Sequence, residues 1–93
     1  MTLEARQDLR DTLLYTRSRW DRRQVGISKA KLDRAMRELT RFPYRGEAHD
    51  DVSAGLRGLL VEAHIIYYRL SDQTVSVVRM LHQAMDASLR IRP

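Results

Sequence analysis

Residues 56–80 read LRGLLVEAHIIYYRLSDQTVSVVRM. Three short runs rich in Val, Ile, Leu and Tyr occupy residues 56–62, 64–70 and 74–80. They are separated by a tight link at Glu62-Ala63 and by Ser71-Asp72-Gln73. β-branched and aromatic residues suit a pleated, half-buried backbone, and short polar links between such runs predict antiparallel neighbours. The middle run, Ile65-Ile66-Tyr67-Tyr68, is apolar on both alternating faces, so it is expected at the centre of a three-stranded meander with cover on each side.

The chain on either side supplies that cover. Upstream, residues 3–20 place Leu9, Leu13, Thr16 and Trp20 at helical spacing, with Arg6, Arg10, Arg17 and Arg19 mostly off that stripe. Thr2 stands where an N-cap belongs, and Glu4 suits the positive end of the helix dipole. A second periodic stretch, residues 22–41, carries Val25, Leu32, Ala35, Met36 and Leu39 on one side. Pro43 disfavours helical angles at Phe42, so this helix stops near Arg41. The two helices are expected to pair as a hairpin over one face of the sheet. His49, Asp50, Asp51 and Ser53 mark a polar connector, and residues 81–89 are expected to form a short helix or irregular cover over the other face. The predicted architecture is therefore α+β, one domain spanning residues 1–93.

Composition narrows the function classes. The absence of cysteine excludes a disulfide framework and a thiolate nucleophile, three scattered histidines make no metal site, and no cofactor motif is present. No apolar run approaches the roughly 20 residues that span a bilayer, and no signal-peptide layout opens the chain, which leads to the expectation of a cytoplasmic protein. The net charge of +5 is unevenly placed. Residues 1–46 hold 12 Lys and Arg against 6 acids, while residues 47–93 hold 5 against 6. A basic helical half attracts something acidic, either nucleic acid or an acidic protein surface. A helix-turn-helix DNA reader fits poorly, because it needs a third supporting helix and a short crossing turn, whereas these helices are long and laid on a sheet.

In this order the landmarks resemble ParE-type toxins of the ParE/RelE toxin-antitoxin superfamily over nearly the whole chain. The resemblance is carried by Ala5-Arg6-Gln7-Asp8-Leu9 with Tyr15-Thr16, then Trp20 and Gln24, then Leu32, Leu39, Pro43 and Gly46. It continues through Gly55-Leu56-Arg57 and His64-Ile65-Ile66-Tyr67-Tyr68-Arg69. Val77-Val78-Arg79-Met80-Leu81-His82-Gln83 followed by Met85-Asp86 is its most specific part. The family usually opens with a β-strand, whereas this sequence opens at the first helix, so that strand is expected to be missing and an exposed sheet edge to invite strand addition from an antitoxin or a second copy. The resemblance implies a toxin that inhibits DNA gyrase by protein binding and is neutralised by a ParD-like antitoxin. The alternative from the same superfamily is a RelE-like ribosome-dependent mRNA endoribonuclease.

The residues divide along the same line. A nuclease needs cations and an acid-base group beside the scissile phosphate, for which Arg57, Arg79 and His82 are the candidates, with Glu62 near them. The sheet half carries a slight excess of acids and no lysine follows Lys31, which favours the binding reading. Candidate partner contacts are Trp20, Arg22, Arg23, Tyr67, Tyr68, Arg79, His82, Met85 and Asp86. For Arg79 the expected structural role is an ion pair with Asp86 or Glu62. His82 is expected as a hydrogen-bonding or capping group. Of Tyr67 and Tyr68, which leave the strand on opposite faces, one is expected in the core and the other under the antitoxin. The helical hairpin and the C-terminal tail are the expected target contacts, and the open sheet face and edge the expected antitoxin contacts.

Overall fold

In a computed structural model, which describes residues 1–19, 22–72 and 74–91, the order is α1 (Leu3–Arg19), α2 (Arg22–Arg41), β1 (Glu47–Ala48), β2 (Leu56–Val61), β3 (His64–Ser71), β4 (Thr74–His82) and α3 (Ala87–Arg90). The strands form one antiparallel sheet in the order β1-β2-β3-β4. The sheet thus has four strands where three were expected. The addition is the dipeptide β1 within the polar connector, where Glu47 faces Gly58 and Ala48 faces Arg57. Two residues are too few to show an alternating pattern, so this strand has no sequence signature.

The start of α1 and the end of α2 follow from local chemistry. Thr2 Oγ1 accepts the Ala5 N–H at 3.1 Å, the N-cap bond of α1. The last turn of α2 is closed by the Phe42 N–H to Glu38 O, and Pro43 ends the helix. Ala5, Leu32, Leu39, Ile66, Tyr68, Val77 and Met80 form the core between the helices and the sheet, with Leu9, Ala35 and Met36 packed at its margin. Leu13, Thr16, Trp20 and Val25, assigned to the same stripes from sequence, have side chains outside the described residues.

The opposite face is also closed. Leu56, Tyr67 and Leu81 pack with Ala87 and Ile91, so the short helix α3 and the residue after it form the cover expected of residues 81–89. Tyr68 and Tyr67 therefore both lie in the interior, at 0% and 4% exposure, on opposite faces of β3. The expectation that one of them is left for a partner is not met, because the tail occupies that face.

Tyr68 ties the layers together at the end of α2. Its hydroxyl donates to Pro43 O at 2.6 Å and accepts from the Gly46 N–H at 3.0 Å. A Cβ on residue 46 would stand 2.5 Å from that oxygen, so only glycine allows the approach. Tyr68→Phe keeps the ring and strands a buried N–H and a carbonyl. It is expected to cost about 1–2 kcal/mol in urea unfolding, and a change below a few tenths would show that water replaces both bonds.

Candidate functional site: the β4–α3 corner and its cleft

Sheet register explains how this corner is built. Tyr68 faces Val77 and Tyr67 faces Arg79, which leaves Val78 as an extra residue, a β-bulge. A bulge re-aims the next side chain. Here it turns Arg79 over the sheet edge, where its Nε and one terminal nitrogen donate to the two oxygens of Asp8 at 2.7 and 3.0 Å. Its other terminal nitrogen donates to Arg90 O at 3.1 Å. Asp8 Oδ2 also accepts the Met80 N–H at 2.9 Å. The hydrogen bond from Arg79 to Asp8 raises the guanidinium pKa, against a smaller opposing effect of burial. Neither Asp86 nor Glu62, the partners expected from sequence, is involved. Glu62 reaches across to Lys31 at 2.5 Å, and Asp86 caps α3 through the Ser88 N–H and hydroxyl at 3.0 and 2.6 Å.

Sequence reading missed Asp8. The available signal is its position three residues after Ala5 and one before Leu9, on the flank of the buried stripe, where a carboxylate needs a partner.

The β4 edge is closed over the same stretch. The Thr2 N–H donates to Val77 O at 2.9 Å and its hydroxyl to Val78 O at 2.8 Å, so with Asp8 on the Met80 N–H the start of α1 caps the edge. The expected open edge is thus satisfied by side chains and one N–H of α1 from Val77 to Met80.

Between α1 and the end of the sheet lies a cleft of about 480 Å³ whose lining includes Asp8, Asp11, Thr12, His64, Arg79, His82 and Met85. The His82 Nδ1 accepts the Ala84 N–H at 3.0 Å, which caps the turn after β4 and places the ring proton on Nε2. His64 lies opposite it on β3, the ring centroids 5.4 Å apart and nearly perpendicular. Burial, and then the neighbouring His82, lower the His64 pKa. Met85 is exposed beside them.

Arg57 stands apart. It faces Tyr68 in the register, so it lies on the helical side of the sheet, where one terminal nitrogen donates to Tyr44 O at 3.1 Å and Gly46 O at 2.6 Å. Arg79 and His82 share the cleft, while Arg57 holds a loop elsewhere. The three residues a nuclease would require are not brought to one point.

A profile of the ParE toxin of type II toxin-antitoxin system, parDE, matches residues 1–87. This chain belongs to the ParE toxin family. Toxin ParE1 of Caulobacter vibrioides is 28% identical over 87 residues, 94% of this chain and 90% of its own length. Toxin ParE1 of Mycobacterium tuberculosis, in strains CDC 1551 and H37Rv, is 35% identical over 72 residues, 76% of this chain and 74% of its own. As a ParE toxin of a type II toxin-antitoxin system, the protein has a cognate antitoxin as its partner. Of the partner contacts named from sequence, Arg79, His82, Met85 and Asp86 fall at the corner just described. Arg22 and Arg23 open α2 with side chains outside the described residues, as is Trp20 entirely. Among the described residues no helix is long and apolar enough to cross a membrane, and no group of His, Asp and Glu is placed to hold a metal.

Two outcomes follow for this corner of the ParE-family chain. Asp8→Ala leaves a largely buried guanidinium and the Met80 N–H without their acceptor, and is expected to cost about 2–3 kcal/mol in urea unfolding. A loss under 0.5 kcal/mol would show that the pair contributes nothing net. For His64, the unfolded chain takes up a proton near the ordinary value of 6.5, while the folded chain resists until lower pH. Its contribution is whole above that value and is lost as pH falls toward the lowered folded pKa. The urea midpoint of His64→Gln should fall less steeply than that of the parent below pH 6.5, and parallel slopes would refute the assignment.

Proposed function

We propose that this ParE-family toxin acts in the cytoplasm by binding DNA gyrase, without chemistry of its own, and is neutralised by a ParD-like antitoxin. The observation that carries the binding reading is how the candidate catalytic groups are used. Arg79 is held bidentately by Asp8, Arg57 is hydrogen-bonded to two loop carbonyls, and His82 spends Nδ1 on the Ala84 N–H. General acid-base cleavage of RNA needs a free acid-base pair and cations aimed at one phosphate. Groups already engaged with the fold serve packing and recognition instead.

The antitoxin contact in this reading is the cleft beside His82 and Met85, where an apolar side chain of the partner covers exposed Met85 and displaces water from between α1 and β4. Asp86 holds α3 in position beside it. Arg22 and Arg23 are assigned in this reading, from their charge in the sequence alone, to attraction of an acidic partner. Gyrase as target rests on the family resemblance, together with a fold that presents surfaces and, among the described residues, does not bring Arg57 together with Arg79 and His82.

Purified chain added to gyrase, ATP and relaxed plasmid is expected to abolish supercoiling and accumulate linear DNA, with antitoxin restoring activity and ribosome-bound messages remaining intact. Codon-phased cuts in those messages, with supercoiling unaffected, would overturn this reading and return Arg57, Arg79 and His82 to a catalytic role.

A further inference from the structure

Two aromatic rings that the core does not use stand at the C-terminal end of α2. Phe42 is 55% exposed and Tyr44 75% exposed. Exposed aromatics usually sit on yielding loops, but this one is fastened from below. The Tyr68 hydroxyl binds Pro43 O and the Gly46 N–H, and Arg57 binds Tyr44 O and Gly46 O. Each ring also carries a guanidinium, with Arg41 over Phe42 at 5.6 Å and Arg57 over Tyr44 at 5.3 Å. Such stacking orders the rings and leaves the broad remainder of each surface in solvent.

The charge around them is one-sided. Arg34, Arg37 and Arg41 follow each other along one stripe of α2, and Arg45 continues it past the helix end. Glu38 is taken up by Arg45 at 2.6 Å and Arg34 at 3.5 Å. Arg37 and Arg41 have no carboxylate partner among the described residues. Arg37 and Arg41, four residues apart on the helix, are separated by a rise of about 6 Å, on the order of the spacing between neighbouring phosphates of an extended strand.

We propose that this patch binds single-stranded DNA, with bases stacked on Phe42 and Tyr44 and phosphates on Arg37 and Arg41. Stacking platforms beside a line of cations are what unpaired bases and their backbone require. A duplex offers only its phosphates, because its base faces are already stacked. An acidic amphipathic helix needs an apolar trough, and no exposed α2 residue from Lys29 to Arg41 is a large hydrophobic. Recognition of RNA turns on groups that pair with the 2′-hydroxyl, and the Glu38 carboxylate within the patch is already occupied by two arginines. The site shares no residue with the lining of the β4–α3 cleft.

Fluorescence anisotropy of the full chain with a labelled oligothymidylate of about 12 nucleotides tests it directly. Phe42→Ala and Tyr44→Ala are each expected to weaken binding roughly 5- to 100-fold, and Arg37→Ala or Arg41→Ala to make the salt dependence shallower by about 0.7 in the log-log slope. Arg10→Ala, an exposed arginine of α1 with the same charge loss, should change affinity less than about twofold. Circular dichroism confirms that each variant is folded. Absence of binding, an equal loss on Arg10→Ala, or indifference to both aromatic substitutions overturns the proposal. Tighter binding of matched oligouridylate, of duplex, or of polyglutamate overturns it in favour of RNA, plain phosphate attraction or an acidic protein partner, respectively.

Discussion

The Asp8 carboxylate receives three donors at once, two from the Arg79 guanidinium and one from the Met80 backbone. An edge strand normally presents unpaired backbone groups, and a charged residue turned sideways at a bulge is one way to blunt it. Here the bulge at Val78 does both tasks. It swings Arg79 toward α1, and it brings the Val77 and Val78 carbonyls within reach of Thr2. Because Arg79 also reaches Arg90 O, one guanidinium joins the helix layer, the sheet edge and the tail that covers the far face. With side-chain exposures of 21% and 12%, the pair is shielded enough for its geometry to matter.

The rest of the fold is organised around that junction. Helix α1 is held to β4 at its first two turns, which sets where Ala5 and Leu9 meet the sheet and gives α2 its place beside them. On the far face, the tail fixed by Arg79 and capped by Asp86 lets Ile91 and Ala87 close over Tyr67 and Leu81. The cleft between α1 and the His64–His82 pair adjoins this anchor, with Asp8 and Arg79 themselves in its lining.

At the opposite end of α2, Tyr68 and Arg57 do for the loop of residues 43–46 what Arg79 does for the edge. Both spend polar groups from within or beneath the core on loop carbonyls, and both thereby fix what the surface presents. The aromatic and arginine patch at Phe42 and Tyr44 rests on these bonds. The protein therefore displays two chemically different surfaces. One is a mixed cleft of carboxylates, imidazoles and an exposed methionine, and the other is cationic and aromatic.

Local periodicity was enough to determine the two helices, their break at Pro43, the N-cap at Thr2 and three of the four strands. These depend on contacts between residues two to four apart, and the order of such signals carried the family resemblance. What tertiary structure alone decided is which distant groups meet. Asp8 and Arg79 are 71 residues apart, and the choice of Asp8 over Asp86 or Glu62 turned on a single-residue offset in β4 that no sequence period records. The same holds for Tyr67, whose alternation with Tyr68 was legible while the arrival of Ile91 over its face was not. It holds again for Tyr44, an unremarkable turn residue until buried Tyr68 and half-buried Arg57 are seen to fasten its loop. Sequence period reports which face a residue takes, whereas the partner waiting on that face is set by packing between elements far apart in the chain.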